Sequence, residues 1–286
     1  MFGFLVRKSL GFLNVKHPVP AIPDTLSQYI NTAKLKETKA YERENFRFKF
    51  AAGTFSFILT FLFIYLGWFG TIDTWVSGFG FAPLVKSLVF FAIIFIGSDI
   101  LSLPFDYYNT FVIEEKYGFN NTAVKTFFLD KIKGYILSIL VGGGLLMVFL
   151  WLIHQMGNHF WWQFWIVASV FMVLVNLFYT AWILPLFNKL TPLEEGELKW
   201  KILHYAKSVN FSLDNIFVID GSKRSSKANA FFSGFGKRKK VVLYDTLLEQ
   251  HPPDELVAVL AHEVGHYKKK HIIWGMIISV LQVGLM

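Results

Sequence analysis

Of the 286 residues, 54% are hydrophobic and 18% aromatic, only 17% are charged, and the formal net charge is +8. This composition excludes an ordinary water-soluble globular protein and marks membrane segments. The chain has no cysteine, which excludes disulfides and thiolate metal ligands, and a hydrophobic chain without a basic-aromatic platform is not built for nucleic acid.

Residues 1–20 contain an amphipathic run, Phe2 to Val6 followed by Arg7 and Lys8. The apolar part is too short for a signal peptide and no small-residue cleavage site follows, so it reads as an interfacial segment. Ala51 to Ile72 carries no charge and is long enough for one span. A second apolar stretch covers Leu88 to Leu103, with Asp99 near a helix end that Pro104 closes. Asp106, Glu114 and Glu115 follow in a loop, where pairing with Lys116 and Lys125 competes with a role at an entrance. Gly134 to Asn188 again lacks Asp, Glu, Lys and Arg; it is too long for one crossing, and Gly157-Asn158-His159 divides it into two helices. His154 and His159 lie there among Trp151, Trp161, Trp162 and Trp165, an aromatic belt before it is a metal site. A fifth apolar run starts at Ile272.

Basic residues orient these helices: alternate loops hold 27 of the 28 Lys and Arg, and the remaining one is Lys86. The bias predicts a cytoplasmic N-terminus and a cytoplasmic segment from about 185 to 271. Within that segment Leu193 to Val209 has helical spacing, with Leu198, Ile202, Leu203 and Ala206 on one side. Asn215 to Asp220 and Lys240 to Tyr244 read as short strands, with Gly221 to Arg224 as a turn. Pro252-Pro253 before Asp254 and Glu255 opens a further helix, with Leu256, Leu260 and Val264 on its apolar side. The spare His204 and His251 read as surface or packing residues.

That last helix carries His262-Glu263-Val264-Gly265-His266. Residues four apart on a helix differ by about 40° around its axis, so both imidazoles face one way and can share one zinc ion. Glu263, one step round, is placed to hold and deprotonate the attacking water without ligating the metal. With 8 His in the chain, chance would produce the pattern only about one time in a hundred.

The ordered blocks Leu103–Tyr108, Phe111–Asn120, Pro185–Leu193, Asp220–Ser225, Asn229–Phe231, Val242–Leu247 and Leu260–Tyr267 together resemble the integral-membrane zinc endopeptidases of the CAAX prenyl protease type 1 family. The resemblance implies a seven-helix membrane protein enclosing a chamber into which the zinc site opens. The family's best-known members trim the C-terminal tripeptide of prenylated CAAX proteins, and general membrane-protein quality control is the alternative for bacterial relatives, so a prenylated and a membrane-embedded substrate both stay open. It implies His262 and His266 as ligands of one Zn2+ and Glu263 as general base. It also places Asn229, Ala230 and Phe231 in an extended segment beside the cleft, where an edge strand would hold a peptide or protein substrate. Asn229 as a turn residue that satisfies its own loop is the competing reading. For Arg224, pairing with an acidic loop competes with binding a substrate carboxylate.

The family's third zinc ligand is a glutamate on a later helix, and this chain has no glutamate after Glu263 and ends 20 residues after His266. His271 is not expected to replace it, because on a continuous helix it faces about 180° away from His262. The run Ile272 to Met286 is also shorter than the roughly 20 residues of a span, so a fragment of a longer protein is expected. The expected fold is mainly α: four complete membrane helices and the start of a fifth, with a small cytoplasmic α+β zinc-peptidase segment. Its parts are 1–50 N-terminal, 51–184 transmembrane, 185–271 peptidase and 272–286 the fifth helix. Two other classes stand beside the peptidase: a truncated or degenerate non-catalytic relative, and a transporter with a zinc sensor, for which only Asp99 offers an intramembrane ligand. The compartment, a bacterial inner membrane or an endoplasmic reticulum or nuclear envelope, stays open.

Overall fold

The computed structural model describes residues 2–17, 22, 25, 31–211, 213, 215–233 and 240–285. The chain divides into two compact units, Met1–Asn120 and Asn121–Met286.

In the first unit, helix α1 (Phe2–Lys16) lies along α2 (Thr32–Tyr65). Asn31 caps α2, its side-chain oxygen accepting from the amides of Ala33 and Lys34. The polarity of α2 changes along its length rather than around it: charges from Lys34 to Lys49 give way to an uncharged half that suits lipid. Lys8 marks the change. Its ammonium donates to the carbonyls of Lys49 (2.8 Å) and Phe50 (3.0 Å), while Phe4 stacks on Phe57 with ring centroids 4.5 Å apart. Desolvation in this contact, with Arg7 adding like-charge repulsion, holds Lys8 below the usual lysine range.

Gly67, at φ 69°, stops α2 short of Ile72, and the end of the charge-free run instead starts α3 (Trp68–Ser77). Helix α4 (Pro83–Tyr108) is longer at both ends than the expected second span and runs on into a wider π-helical turn, Asn109–Glu114. Pro104 therefore lies inside the helix, and half-buried Asp99 sits in mid-helix rather than capping its end. A helix surrounded by lipid has no water to satisfy freed backbone groups, so it absorbs the proline instead of stopping there. The expected loop holding Asp106, Glu114 and Glu115 is helical instead, with Asp106 in α4 and Glu114 in the π turn, and Lys116 pairs with Glu44 rather than with these carboxylates. Glu114 accepts from the Tyr41 hydroxyl, Glu115 from Asn120, and Glu44 of α2 takes both Lys116 and Tyr117 at 2.7 Å.

The second unit begins with α5 (Val124–Leu137), which passes through a π turn at Ser138–Gly142 into α6 (Gly143–Met156). Gly157, at φ 52°, then reverses the chain into α7 (Phe160–Phe178). The reversal is visible in the rings: Phe149 lies 5.7 Å from Phe160 and 4.5 Å from Phe164, whereas 15 residues of straight helix would separate the latter pair by about 22 Å. The uncharged run is thus two antiparallel helices, as its length requires. A π turn at Tyr179–Ile183 and the short α8 (Leu184–Phe187) lead out of α7.

A four-stranded sheet follows, β1 (Leu190–Pro192), β2 (Asn215–Ile219), β3 (Ala230–Ser233) and β4 (Lys240–Tyr244), in the order β1-β2-β4-β3. The central pair β2 and β4 is parallel; both edge strands are antiparallel to their neighbours. Strand β1 corrects the expected helix at 193–209: the Leu193 amide donates to Ile216 O (2.9 Å), so the chain is held by the sheet and α9 covers only Glu197–Ser208. Ile202 and Ala206 are buried as expected, but Leu203 points out at 44% exposure. Helices α10 (Asp245–Gln250), α11 (Pro253–Lys268) and α12 (His271–Gly284) complete the unit. The apolar sides of α9 and α11 close over the sheet in one core with Ile216, Val241 and Leu243. Helix α12 packs on α7, the Trp165 indole donating to Val280 O at 2.8 Å.

The sheet is locked to the base of the membrane helices by the turn after β2. Arg224 forms a two-pronged pair with Asp130 of α5 (Nε 2.7 Å, Nη2 3.0 Å) and donates to Phe187 O at 2.6 Å. Asp220 accepts from the Lys189 amide and from Asn188, and Asp245 accepts from the amide and hydroxyl of Ser222. Asn121 and Thr122 return bonds to Ser222 O and Arg224 O. Both members of the Arg224–Asp130 pair are about three-quarters buried, at 22% and 23% side-chain exposure. Asp130→Asn is expected to lower stability by about 1–3 kcal/mol, because it leaves the guanidinium without its counter-charge. Thermal unfolding in detergent micelles measures this, and an unchanged midpoint would show the joint to be dispensable.

Candidate metal centre

Helix α11 begins with Pro253 at its first position and Asp254 and Glu255 in its first turn, where acids suit the helix dipole. Lys201 of α9 ties this end down, bridging Asp254 and its own Glu197 at 2.7 Å each; the two carboxylates push its ammonium above the usual lysine range. Leu256, Leu260 and Val264, each 2% exposed, form the core-facing stripe. The opposite side presents His262 and His266 to the outside, with Glu263 half-buried on the flank.

The Nε2 atoms of His262 and His266 converge to 3.0 Å, with ring centroids 4.7 Å apart. Two nitrogens bound to one tetrahedral zinc at 2.0–2.1 Å lie about 3.3 Å from each other, so the pair is within a few tenths of an ångström of a shared-metal geometry. Imidazole nitrogens are also the ligands that zinc favours. These residues fit the metal. Among the described residues no cluster of three potential ligands forms.

His271 departs from expectation. The helix does not continue through the lysines: Lys269 and Lys270 bond back to Gly265 O and Tyr267 O, and Lys270 adopts a left-handed φ of 57°. That turn breaks the phase that would have carried His271 to the far side. Its Nδ1 lies instead 2.7 Å from Nδ1 of His266.

The edge strand β3 runs beside α11, and Ala230 and Phe232 pack against the core that holds Leu260 and Val264. Phe211 links the two, meeting Phe232 and Tyr267 edge-on at 5.2 Å each. The Tyr244 amide donates to Asn229 O, so Asn229, Phe231 and Ser233 turn their main-chain groups toward β4, while Ala230 and Phe232 turn theirs away from it. Exposed Asn229 uses its side-chain oxygen to accept from the Ala230 amide (2.9 Å), a local bond of the kind its turn reading anticipated. Arg224 is committed to Asp130 and Phe187 O, the acidic partner that competed with a substrate carboxylate. Two of the spare histidines also have neighbours, His204 stacking on Trp200 and His251 reaching Glu255 at 2.8 Å.

Residues 12–189 match the family described as CAAX prenyl protease N-terminal, five membrane helices, and residues 192–286 match peptidase family M48. The chain belongs to the CAAX prenyl protease family. Among its relatives, CAAX prenyl protease 1 homolog of Arabidopsis thaliana is 36% identical over 93% of this chain and 66% of its own length. CAAX prenyl protease 1 of Saccharomyces cerevisiae is 42% identical over 71% of this chain and 45% of its own. The crystal structure of Ste24p from S. mikatae superposes with a TM-score of 0.90 at 35% identity, covering 99% of this chain and 68% of that one. The chain thus spans two-thirds or less of the length of these two curated CAAX prenyl proteases.

CAAX prenyl protease membership and the long apolar helices make the chain an integral membrane protein. Membership also implies a metal, and the paired imidazoles are the residues here that fit one. Sequence reasoning missed Asp130 and Asp245 as partners of Arg224 and Ser222 in the turn at 220–225, and Asn188 and Lys189 as partners of its Asp220, since each pair is distant along the chain. The block Pro185–Leu193 was nevertheless a signal, because Phe187, Asn188 and Lys189 supply that joint.

The left-handed turn gives a stability prediction. Lys270→Val should cost about 1–2 kcal/mol, because a β-branched side chain collides with the backbone at φ 57°, whereas Lys270→Gly should cost nothing or stabilise slightly. Comparing the two unfolding midpoints in micelles checks the turn; equal midpoints would count against it.

Proposed function

We propose that this protein is an integral-membrane zinc metalloendopeptidase that hydrolyses peptide bonds at the cytoplasmic surface of its membrane. The observation that carries the reading is the convergence of the His262 and His266 Nε2 atoms to 3.0 Å on the open face of α11, next to an edge strand. In this reading 1–50 is the N-terminal segment, 51–184 the membrane part, 185–271 the peptidase segment and 272–286 the start of a fifth membrane helix. The alternation of basic loops supports the cytoplasmic assignment.

His262 and His266 would hold one Zn2+ through their converging Nε2 atoms. When bound, zinc supplies a Lewis acid that polarises the scissile carbonyl and makes water a nucleophile near neutral pH. Glu263, a residue after the first histidine and on the flank of the same face, takes the proton of the attacking water and passes it to the leaving amine. In the segment Asn229, Ala230 and Phe231, the outward carbonyl of Ala230, with the outward main-chain groups of the following Phe232, pairs with the substrate backbone and holds it extended, while Asn229 and Phe231 bond to β4. The relatives are named CAAX prenyl proteases, which supports a CAAX-type protein or peptide substrate met at the bilayer.

Glu263→Gln should keep zinc at wild-type stoichiometry and lose about 10²–10⁴-fold in turnover, because only the proton acceptor is removed. Metal analysis of the purified full-length protein, alongside cleavage of a prenylated CAAX peptide, tests this. Undiminished cleavage by the variant would sink the mechanism.

A further inference from the structure

We propose that His271 is the positioning residue of the metal centre, holding His266 in the tautomer and orientation in which its Nε2 is free to bind metal. The inference rests on the zinc reading above and extends it to a residue that ligates nothing itself. An imidazole binds a metal through one nitrogen lone pair, so the other nitrogen carries the proton and needs an acceptor. The His266 ring is engaged on both of its nitrogens. Nε2 faces Nε2 of His262 at 3.0 Å, and Nδ1 faces Nδ1 of His271 at 2.7 Å. With the proton on His266 Nδ1, that N–H donates to the His271 Nδ1 lone pair, and the proton of His271 sits on its own Nε2. The reverse arrangement would put a proton on His266 Nε2 and block the metal.

His271 reaches this place only because the helix is broken. On a continuous helix, residues five apart differ by about 140° around the axis and cannot stack their rings. The left-handed Lys270 resets the direction, and the two rings meet at 71° with centroids 4.8 Å apart. The contact lies on the ring edge of His266 opposite to the one that faces His262, which makes His271 a partner of a ligand rather than a third ligand. Among the described residues, moreover, no group of three forms a metal cluster.

The test is zinc affinity, measured by chelator competition on the full-length protein in detergent micelles. His271→Phe should weaken zinc binding about 10–100-fold, the usual cost of losing a partner that orients a metal-bound histidine. His271→Asn or His271→Gln, whose amide oxygen can accept the same N–H, should recover affinity to within about threefold of wild type. The near-isosteric pair His271→Met and His271→Gln repeats the comparison if the aromatic variant does not fold. X-ray absorption should count the same number of imidazoles on zinc in wild type and His271→Phe. Unchanged affinity in His271→Phe, while His262→Ala abolishes binding, would overturn the positioning role and leave the peptidase reading intact. Loss of one imidazole in His271→Phe would overturn it too, by making His271 a ligand. If the wild type binds no zinc, or His262→Ala leaves binding unchanged, the metal reading itself falls and this inference falls with it.

Discussion

The pairing of Arg224 with Asp130 is the constraint on which the arrangement of the second unit rests. A guanidinium fork closing on a carboxylate fixes direction as well as distance, and here it joins the turn after a sheet strand to the base of a membrane helix. The third donation, to Phe187 O, brings in the chain where it leaves α7 and α8. Asp220 and Asp245 then clamp either side of the same turn. Half-buried carboxylates are costly unless hydrogen-bonded, and each of these three accepts from another segment: Asp130 from the Arg224 guanidinium, Asp220 from Lys189 and Asn188, and Asp245 from Ser222. From this fixed turn the chain runs directly to Asn229 and the edge strand, so the placement of β3 follows from it.

The metal helix obeys a second constraint, a division of its surface. The leucine and valine stripe must face the sheet, and once it does, the helical period puts both histidines on the opposite side with Glu263 between the two. Hydrophobic burial on one face thus orients the polar chemistry on the other, without any polar contact having to do so. The Phe232–Phe211–Tyr267 chain of rings adds a lateral brace, since edge-on aromatic contacts resist sliding as well as separation.

Much of this was legible in the sequence because it depends on local rules. The five-residue metal motif, the strands at 215–219 and 240–244, the proline-opened helix and the reversal at Gly157 each follow from spacing or from one backbone preference. The failures are places where a distant or three-dimensional requirement overrides a local rule. Pro104 should end a helix, but lipid forbids the exposed backbone that ending would create. Leu193 fits a helical period, but Ile216 O captures its amide for the sheet. His271 lies beside His266 rather than on the far side where a continuous helix would carry it, and nothing in three consecutive lysines announces a left-handed residue. Arg224 offered two readings, and its partner 94 residues away could not be named from its neighbours.

The joint at Arg224 also has a mechanical meaning. Asp130 stands on α5, which runs on through its π turn into the bilayer-facing α6, while Arg224 stands five residues before Asn229 and the rail of β3. Joined at two points, α5 and the turn before β3 share one anchorage, so neither can shift along the other without breaking a charge-assisted bond. The edge strand beside the histidines thus takes its reference from a membrane helix as well as from the core of its own sheet.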